Sequence, residues 1–279
     1  MSSAPCTIDI AHSPDADDAF MFYALATGRV SSPTVKFEHV LKDIQTLNTA
    51  ALESRYGMTA VSYHAYPYLA DRYVLTSAGS SVGDGYGPVV VSSRKLDHTQ
   101  LKGKTIAVPG ELTTAYLALR LFEPDFTVKV KPFDEIIETV VSGEADAGVV
   151  IHEGQLFYAA AGMHKVVDLG AWWKECHDLP LPLGANAILR NLSSEIQHES
   201  CRCLSESIQY ALDHREEALQ YALGFGRGLD AKLADRFVGM YVNHFTTEMR
   251  PEVVESAQIL LDSGYEAGII SKRIQIEFV

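Results

Sequence analysis

His152 stands where an imidazole can do chemistry. It follows Ala147-Gly-Val-Val-Ile151, an apolar run that reads as a buried strand. In an open α/β sheet, ligands bind outside the carboxyl ends of the strands. Histidine can take up and return protons near neutral pH. A lone histidine is more often structural than catalytic, but this position raises the odds for His152. Glu153 beside it either orients the ring or opens the next helix, where the dipole favours an acid. His12 ends another apolar strand and is a rival.

Three strand-to-helix junctions carry polar residues suited to a carboxylate-bearing small molecule. They are His12-Ser13-Pro14-Asp15-Ala16-Asp17-Asp18, Val61-Ser62-Tyr63-His64, and Val108-Pro109-Gly110-Glu111-Leu112-Thr113-Thr114-Ala115-Tyr116. A helix start offers unpaired N–H groups to an anion, and Gly110 permits close backbone approach. Each junction taken singly reads as capping. Three of them facing a cleft point modestly toward binding.

No metal or organic cofactor is expected. The Asp15-Asp17-Asp18 group fails the calcium-loop pattern, with Phe20 where Gly is required and Ala26 where Glu is required. An acid-rich helix start explains it more simply. Dinucleotide, Walker, nucleophile-elbow and zinc-protease motifs are absent. Gly224-Phe-Gly226-Arg-Gly228 follows a helix rather than a strand, which makes it a poor phosphate loop. Cys6, Cys176, Cys201 and Cys203 lack zinc-ligand spacing and read as reduced thiols.

The elements that must position these groups alternate. Strands are expected over 7–12, 35–40, 59–62, 73–77, 88–93, 105–109, 128–131 and 147–151. Helices are expected over 16–26, 44–53, 113–122 and 134–142. This alternation predicts an α/β fold with mostly parallel strands. From Ser193 onward the pattern is helical, and the last helix should start at Pro251, face inward with Val254, Ala257 and Leu261, and close at Gly264. Two extended crossings, 87–92 and 183–189, flank a middle block with its own β-α-β-α-β order. The expected plan is a larger discontinuous domain, 1–90 with 187–279, and a smaller inserted domain, 91–186, with a ligand cleft between two lobes. Such folds close on their ligands by hinge motion.

The chain has 279 residues, 47% hydrophobic and 21% charged, with a formal net charge of −13. That charge argues against nucleic-acid and membrane-surface partners, but a local pocket can still receive a small anion. A basic start followed by an apolar run is missing, and no stretch approaches a bilayer span, so a cytoplasmic setting is expected. The oligomeric state is open.

Several pieces together resemble the 1,4-dihydroxy-6-naphthoate synthases of the futalosine route to menaquinone. They include Phe22-Tyr-Ala-Leu-Ala-Thr-Gly28, Thr46-Leu-Asn48, Asp71-Arg72-Tyr73, Thr113-Thr114-Ala-Tyr116, Ile151-His152-Glu153, Asp168-Leu-Gly-Ala-Trp172-Trp173 and Leu179-Pro-Leu-Pro-Leu-Gly184. The resemblance runs nearly the full length. It implies a type II periplasmic-binding-protein fold used as a cytoplasmic lyase. It also implies cleavage of cyclic dehypoxanthinyl futalosine, with no cofactor. Carried over residue by residue, it makes His152 the general base and places Ser62, Thr113 and Thr114 in the substrate pocket, with Asn48 a further contact. One departure stands out: the family turn resembles Ser-Pro-Cys-Pro-Asn-Asp, where this chain has Ser13-Pro14-Asp15-Ala16-Asp17-Asp18. Extra acids disfavour an anionic ligand unless they face away. The rival functions are chorismate dehydratase of the same pathway and a non-catalytic solute receptor. Fold alone does not separate these.

Overall fold

Strand β1 (Cys6–His12) turns Ile8 and Ile10 inward and Thr7 and Asp9 outward, the period-two pattern of a sheet with one covered face. It pairs in parallel with β2 (Val35–Leu41) and β3 (Met58–Ser62). The sheet is completed by β4 (Tyr73–Leu75) and β5 (Ser81–Gly83), both paired to a later strand described below. The second sheet contains β6 (Val89–Ser92), β7 (Thr105–Val108), β8 (Thr127–Val130), β9 (Ala147–Val150) and β10 (His164–Asp168), in the order β10-β6-β9-β7-β8. The chain then returns to the first sheet as β11 (Leu181–Leu189), giving the order β2-β1-β3-β11-β4 with β5 also on β11. This is the computed structural model of the chain, and it describes residues 4–226 and 230–279. Arg227 and Gly228 of the glycine-rich segment lie outside the described residues.

Both sheets are mixed rather than mostly parallel. The pairs β8-β7-β9 are parallel, but β6 runs antiparallel to β9 and β10, and β11 runs antiparallel to β3, β4 and β5. The reason is topological. β6 and β11 carry the chain between sheets, so neither is the second strand of a strand–helix–strand crossover, the unit that makes parallel neighbours. β11 also begins earlier than its sequence suggests, at Leu181, and its register shifts between Pro182 and Gly184, where the ladder tolerates proline. Where the chain crosses, a Cβ on Gly170 would meet the Tyr86 carbonyl oxygen at 2.0 Å, so only glycine fits that approach.

The single helix expected over 16–26 is two short ones, Ala16–Met21 and Tyr23–Ala26, broken at Phe22. The last helix, Pro251–Glu266, runs past Gly264. That glycine is a contact point, not a stop: a Cβ there would meet Ile270 Cδ1 at 2.7 Å and Leu117 Cδ1 at 2.9 Å. Its inward face is Val253, Ala257, Leu260 and Leu261, one residue rotated at its start from the expected Val254. Helix Leu169–His177 was not anticipated. Its Trp173 is buried and donates its indole N–H to Ser256 Oγ at 2.8 Å, which fixes the tryptophan pair as packing. Among the described residues, no helix is long and apolar enough to cross a membrane.

Candidate active site

A cleft with about 740 Å³ of empty space lies between the two sheets. The first sheet and the turns leaving it contribute Ser13, Asp15, Asp17, Asp18 and Ser62; the second contributes Thr113, Thr114 and His152. Four of the five residues singled out from the sequence therefore share one cleft. Asn48 does not line it. Its amide lies fully buried behind Ser62, accepting the Ser62 N–H at 2.8 Å and donating to Ser62 Oγ at 2.9 Å. Because Ser62 Oγ accepts, its own proton is available to the cleft.

The junction at Thr113 caps a helix as well as lining the cleft. Thr113 Oγ1 accepts the Tyr116 N–H at 3.2 Å and donates to the Gly110 carbonyl at 2.8 Å. Thr114 Oγ1 donates to the Leu183 carbonyl at 2.6 Å. Both hydroxyl protons are thus spent within the protein. What remains for a ligand is the first turn of helix Thr114–Phe122, whose leading amides have no acceptor within the helix. Removing the Asn48 support should be costly. Asn48→Ala leaves the Ser62 N–H buried without its partner, so we expect a stability loss of about 1–3 kcal/mol, read from the urea midpoint. An unchanged midpoint would show that Ser62 needs no such support.

His152 takes a left-handed backbone, with φ 52°. This is uncommon for a side chain with a Cβ, and such outliers gather at functional sites. The bend directs the imidazole across the cleft, where Nδ1 lies 2.6 Å from Asp15 Oδ2. The Phe133 ring meets the imidazole edge-on, with centroids 4.8 Å apart. Nε2 is buried and has no hydrogen-bond partner among the described residues. The imidazole's partner is Asp15, not Glu153. Glu153 is buried beside the cluster, with one carboxylate oxygen unpaired among the described residues.

The acid-rich turn is not a cap. Asp15 stands at the N-cap position of helix Ala16–Met21, yet its side chain makes no capping bond and goes to His152 and to Ser13 Oγ at 2.9 Å. Asp18 accepts the Ser13 N–H at 2.7 Å. Nor do these acids face away from the cleft: all three line it. Protonation lets them stay there. Burial, then the Asp15, Asp18 and Glu153 charges, pushes Asp17 well above the ordinary carboxylate range. Burial, then Asp15, pushes Asp18 to about 8 against the Ser13 hydrogen bond. Burial would raise Asp15 too, but the charge and hydrogen bond of His152 outweigh it and hold it at about 2. For His152, burial alone would lower the pKa; the charge and hydrogen bond of Asp15 outweigh it and raise it to about 9. These shifts favour the uncharged forms of Asp17 and Asp18, and the Asp15–His152 contact is a net-neutral ion pair. Both effects reduce the negative charge that the turn presents to an anion.

One oxygen each of Asp15 and Asp17 and one His152 nitrogen lie within 4.8 Å of one another, a spacing also compatible with a cation. Geometry favours a proton. Two ligands about 2.1 Å from a tetrahedral ion stand roughly 3.4 Å apart, whereas the Asp15–His152 contact is 2.6 Å.

The rival His12 is structural. It is buried, stacked on Phe22 at 4.2 Å, and bonded to the Ser13 carbonyl and to His39 Nδ1, each at 3.1 Å. Burial, with His39 adding, pushes it down to about 3, so it stays neutral. The cleft wall also includes Gln155, Phe237 and Tyr241, with the Tyr241 hydroxyl donating to Gln155 Oε1 at 2.8 Å. Nothing local in the sequence marks these three.

The chain matches a family model described as menaquinone biosynthesis over residues 8–266. A 1,4-dihydroxy-6-naphtoate synthase of Thermus thermophilus is 42% identical over 240 residues, spanning 86% of this chain and 87% of that protein. A protein of the same name from Streptomyces coelicolor is 34% identical, covering 95% of both chains. A crystal structure of an Archaeoglobus fulgidus protein superposes with TM-score 0.91 at 49% identity, covering 95% of this chain and 98% of that one. The alkanesulfonate-binding protein of Xanthomonas axonopodis pv. citri superposes with TM-score 0.74 at 14% identity, covering 98% and 97%, a likeness of fold alone. The architecture is thus the two-lobed periplasmic-binding-protein fold. With nearly its whole length matched, the chain belongs to the menaquinone biosynthesis family.

Proposed function

We propose that this chain is a carbon–carbon lyase converting cyclic dehypoxanthinyl futalosine to 1,4-dihydroxy-6-naphthoate, with His152 as general base. The observation that carries the reading is an imidazole in the cleft wall, anchored at Nδ1, whose buried Nε2 has no hydrogen-bond partner among the described residues. The two curated relatives that bear the synthase name support the choice of reaction. Removal of an acidic carbon proton beside a carbonyl starts elimination and carbon–carbon fission, and aromatisation draws the sequence forward. A base within reach of that proton is the main requirement.

In this reading the Ser62 hydroxyl and the leading helix amides at Thr114-Ala115 receive the polar groups of a carboxylate-bearing substrate, and Asn48 holds Ser62 in place. The smaller domain is the insert over 91–186. The remainder forms the larger domain. The working compartment is the cytoplasm, and the reaction uses no metal or organic cofactor.

The test is direct. Purified protein is incubated with cyclic dehypoxanthinyl futalosine, and the naphthoate is followed by absorbance and mass spectrometry. Product formation is expected, and intact substrate after prolonged incubation with the wild type would overturn the assignment.

A further inference from the structure

We propose that Asp15 is the positioning residue for His152, supplied to the base from the opposite lobe. Asp15 leaves β1 of the first sheet, and His152 leaves β9 of the second. The inference rests on His152 being the base, and it deepens that reading by naming what sets the ring's tautomer and direction.

Several independent features converge on the contact. Asp15 is buried at 3% exposure and gives up the capping bond its position offers. Its Oδ2 is braced by Ser13 Oγ at 2.9 Å while accepting from His152 Nδ1 at 2.6 Å. The left-handed backbone at His152 and the edge of Phe133 hold the ring from its own side. With Nδ1–H committed to a carboxylate, the neutral imidazole has its lone pair on Nε2, the nitrogen without a hydrogen-bond partner among the described residues. This is the general logic by which a carboxylate orients a histidine base and stabilises the cation it becomes. The other titratable groups facing this pair are Asp17 and Asp18 from the same turn, Glu153 beside the imidazole, and Tyr241 toward Asp17. Burial and the Asp15 charge favour the protonated forms of Asp17 and Asp18, and Asp15, 2.6 Å from Nδ1, is the carboxylate in contact with the imidazole.

The experiment combines nitrogen-15 NMR of imidazole-labelled protein with steady-state kinetics. The His152 signals are identified by their loss in His152→Gln. In the ligand-free wild type, above the imidazole's pKa, the proton should sit on Nδ1. In Asp15→Asn the His152 titration should move down by one pH unit or more and lose the fixed tautomer. On cyclic dehypoxanthinyl futalosine, Asp15→Asn should lower kcat roughly 10²- to 10⁴-fold with KM changed only a few-fold. Its rate should reach its plateau at a lower pH than the wild type's. A purely structural role would move stability without this shift. An Nε2-protonated neutral ring in the wild type overturns the proposal with no variant needed, which covers the case of a variant that fails to fold. An unshifted titration or an unchanged kcat in Asp15→Asn overturns it as well. A wild type inactive on the cyclic substrate would sink the substrate assignment and leave the tautomer and titration to decide this one.

Discussion

Replacing His152 by Gln should lower kcat on the cyclic substrate roughly 10²- to 10⁴-fold, with KM little changed. Gln keeps a polar group of comparable reach toward Asp15 but cannot take a carbon-bound proton. The pH dependence sharpens the expectation. His152 is held at about 9 in the ligand-free protein, so most of it is protonated at neutral pH. A protonated imidazole is no base. The wild-type kcat/KM should therefore climb with unit slope from neutral pH and level off near that value, reporting deprotonation of the free enzyme. A variant that keeps full turnover would remove His152 from the reaction. A profile already flat from pH 6 to 9 would show that the ring reacts through some other protonation state.

Stability should move the opposite way over the same interval. Asp18 is raised to about 8 from 3.8, Asp17 is raised well above 3.8, and His152 is raised to about 9 from 6.5. Each binds its proton more tightly folded than unfolded, so each stabilises fully below its unfolded pKa. That contribution is lost as pH rises through the folded value. The buried His12 and His64 act in reverse. Burial lowers them to about 3 and about 4, and their contribution is present above 6.5 and lost as pH falls. Asp15, lowered to about 2, contributes above 3.8. Above pH 6.5 these rising contributions are complete and losses remain. We expect a fall of a few kcal/mol between pH 6.5 and 9, measured as the urea midpoint or calorimetric Tm. Asp18→Asn should flatten the decline, since an amide has no proton to lose. A wild-type midpoint constant across that interval would show that the acids are charged in the folded protein. Together the two profiles place the fastest turnover in the alkaline range, where the protein is weakest.

Much of the molecule was legible before any coordinates. β3, β7 and β9 announce themselves as short apolar runs between turns, β1 and β2 as alternating segments, and His152 as an imidazole just past the end of β9. Ser62, Thr113 and Thr114 follow from their junctions. Long-range features did not come through. β10 is a short half-buried strand, its central valines flanked by polar residues, and the direction of β6 and β11 depends on where the chain changes sheets. The partnership of Asp15 with His152 joins residues on two sheets, and locally Asp15 has the look of a helix cap. The only hint was its departure from the family turn. Tyr241 and Phe237 belong to a helix whose apolar stripe reads as core, which conceals their place in the cleft wall.

The carboxylate and the ring it steadies ride on separate halves of the molecule. Swinging those halves apart must untie them, and an untied imidazole gives up its proton more readily. If product leaves by an opening of the cleft, the same movement returns the imidazole to its basic form.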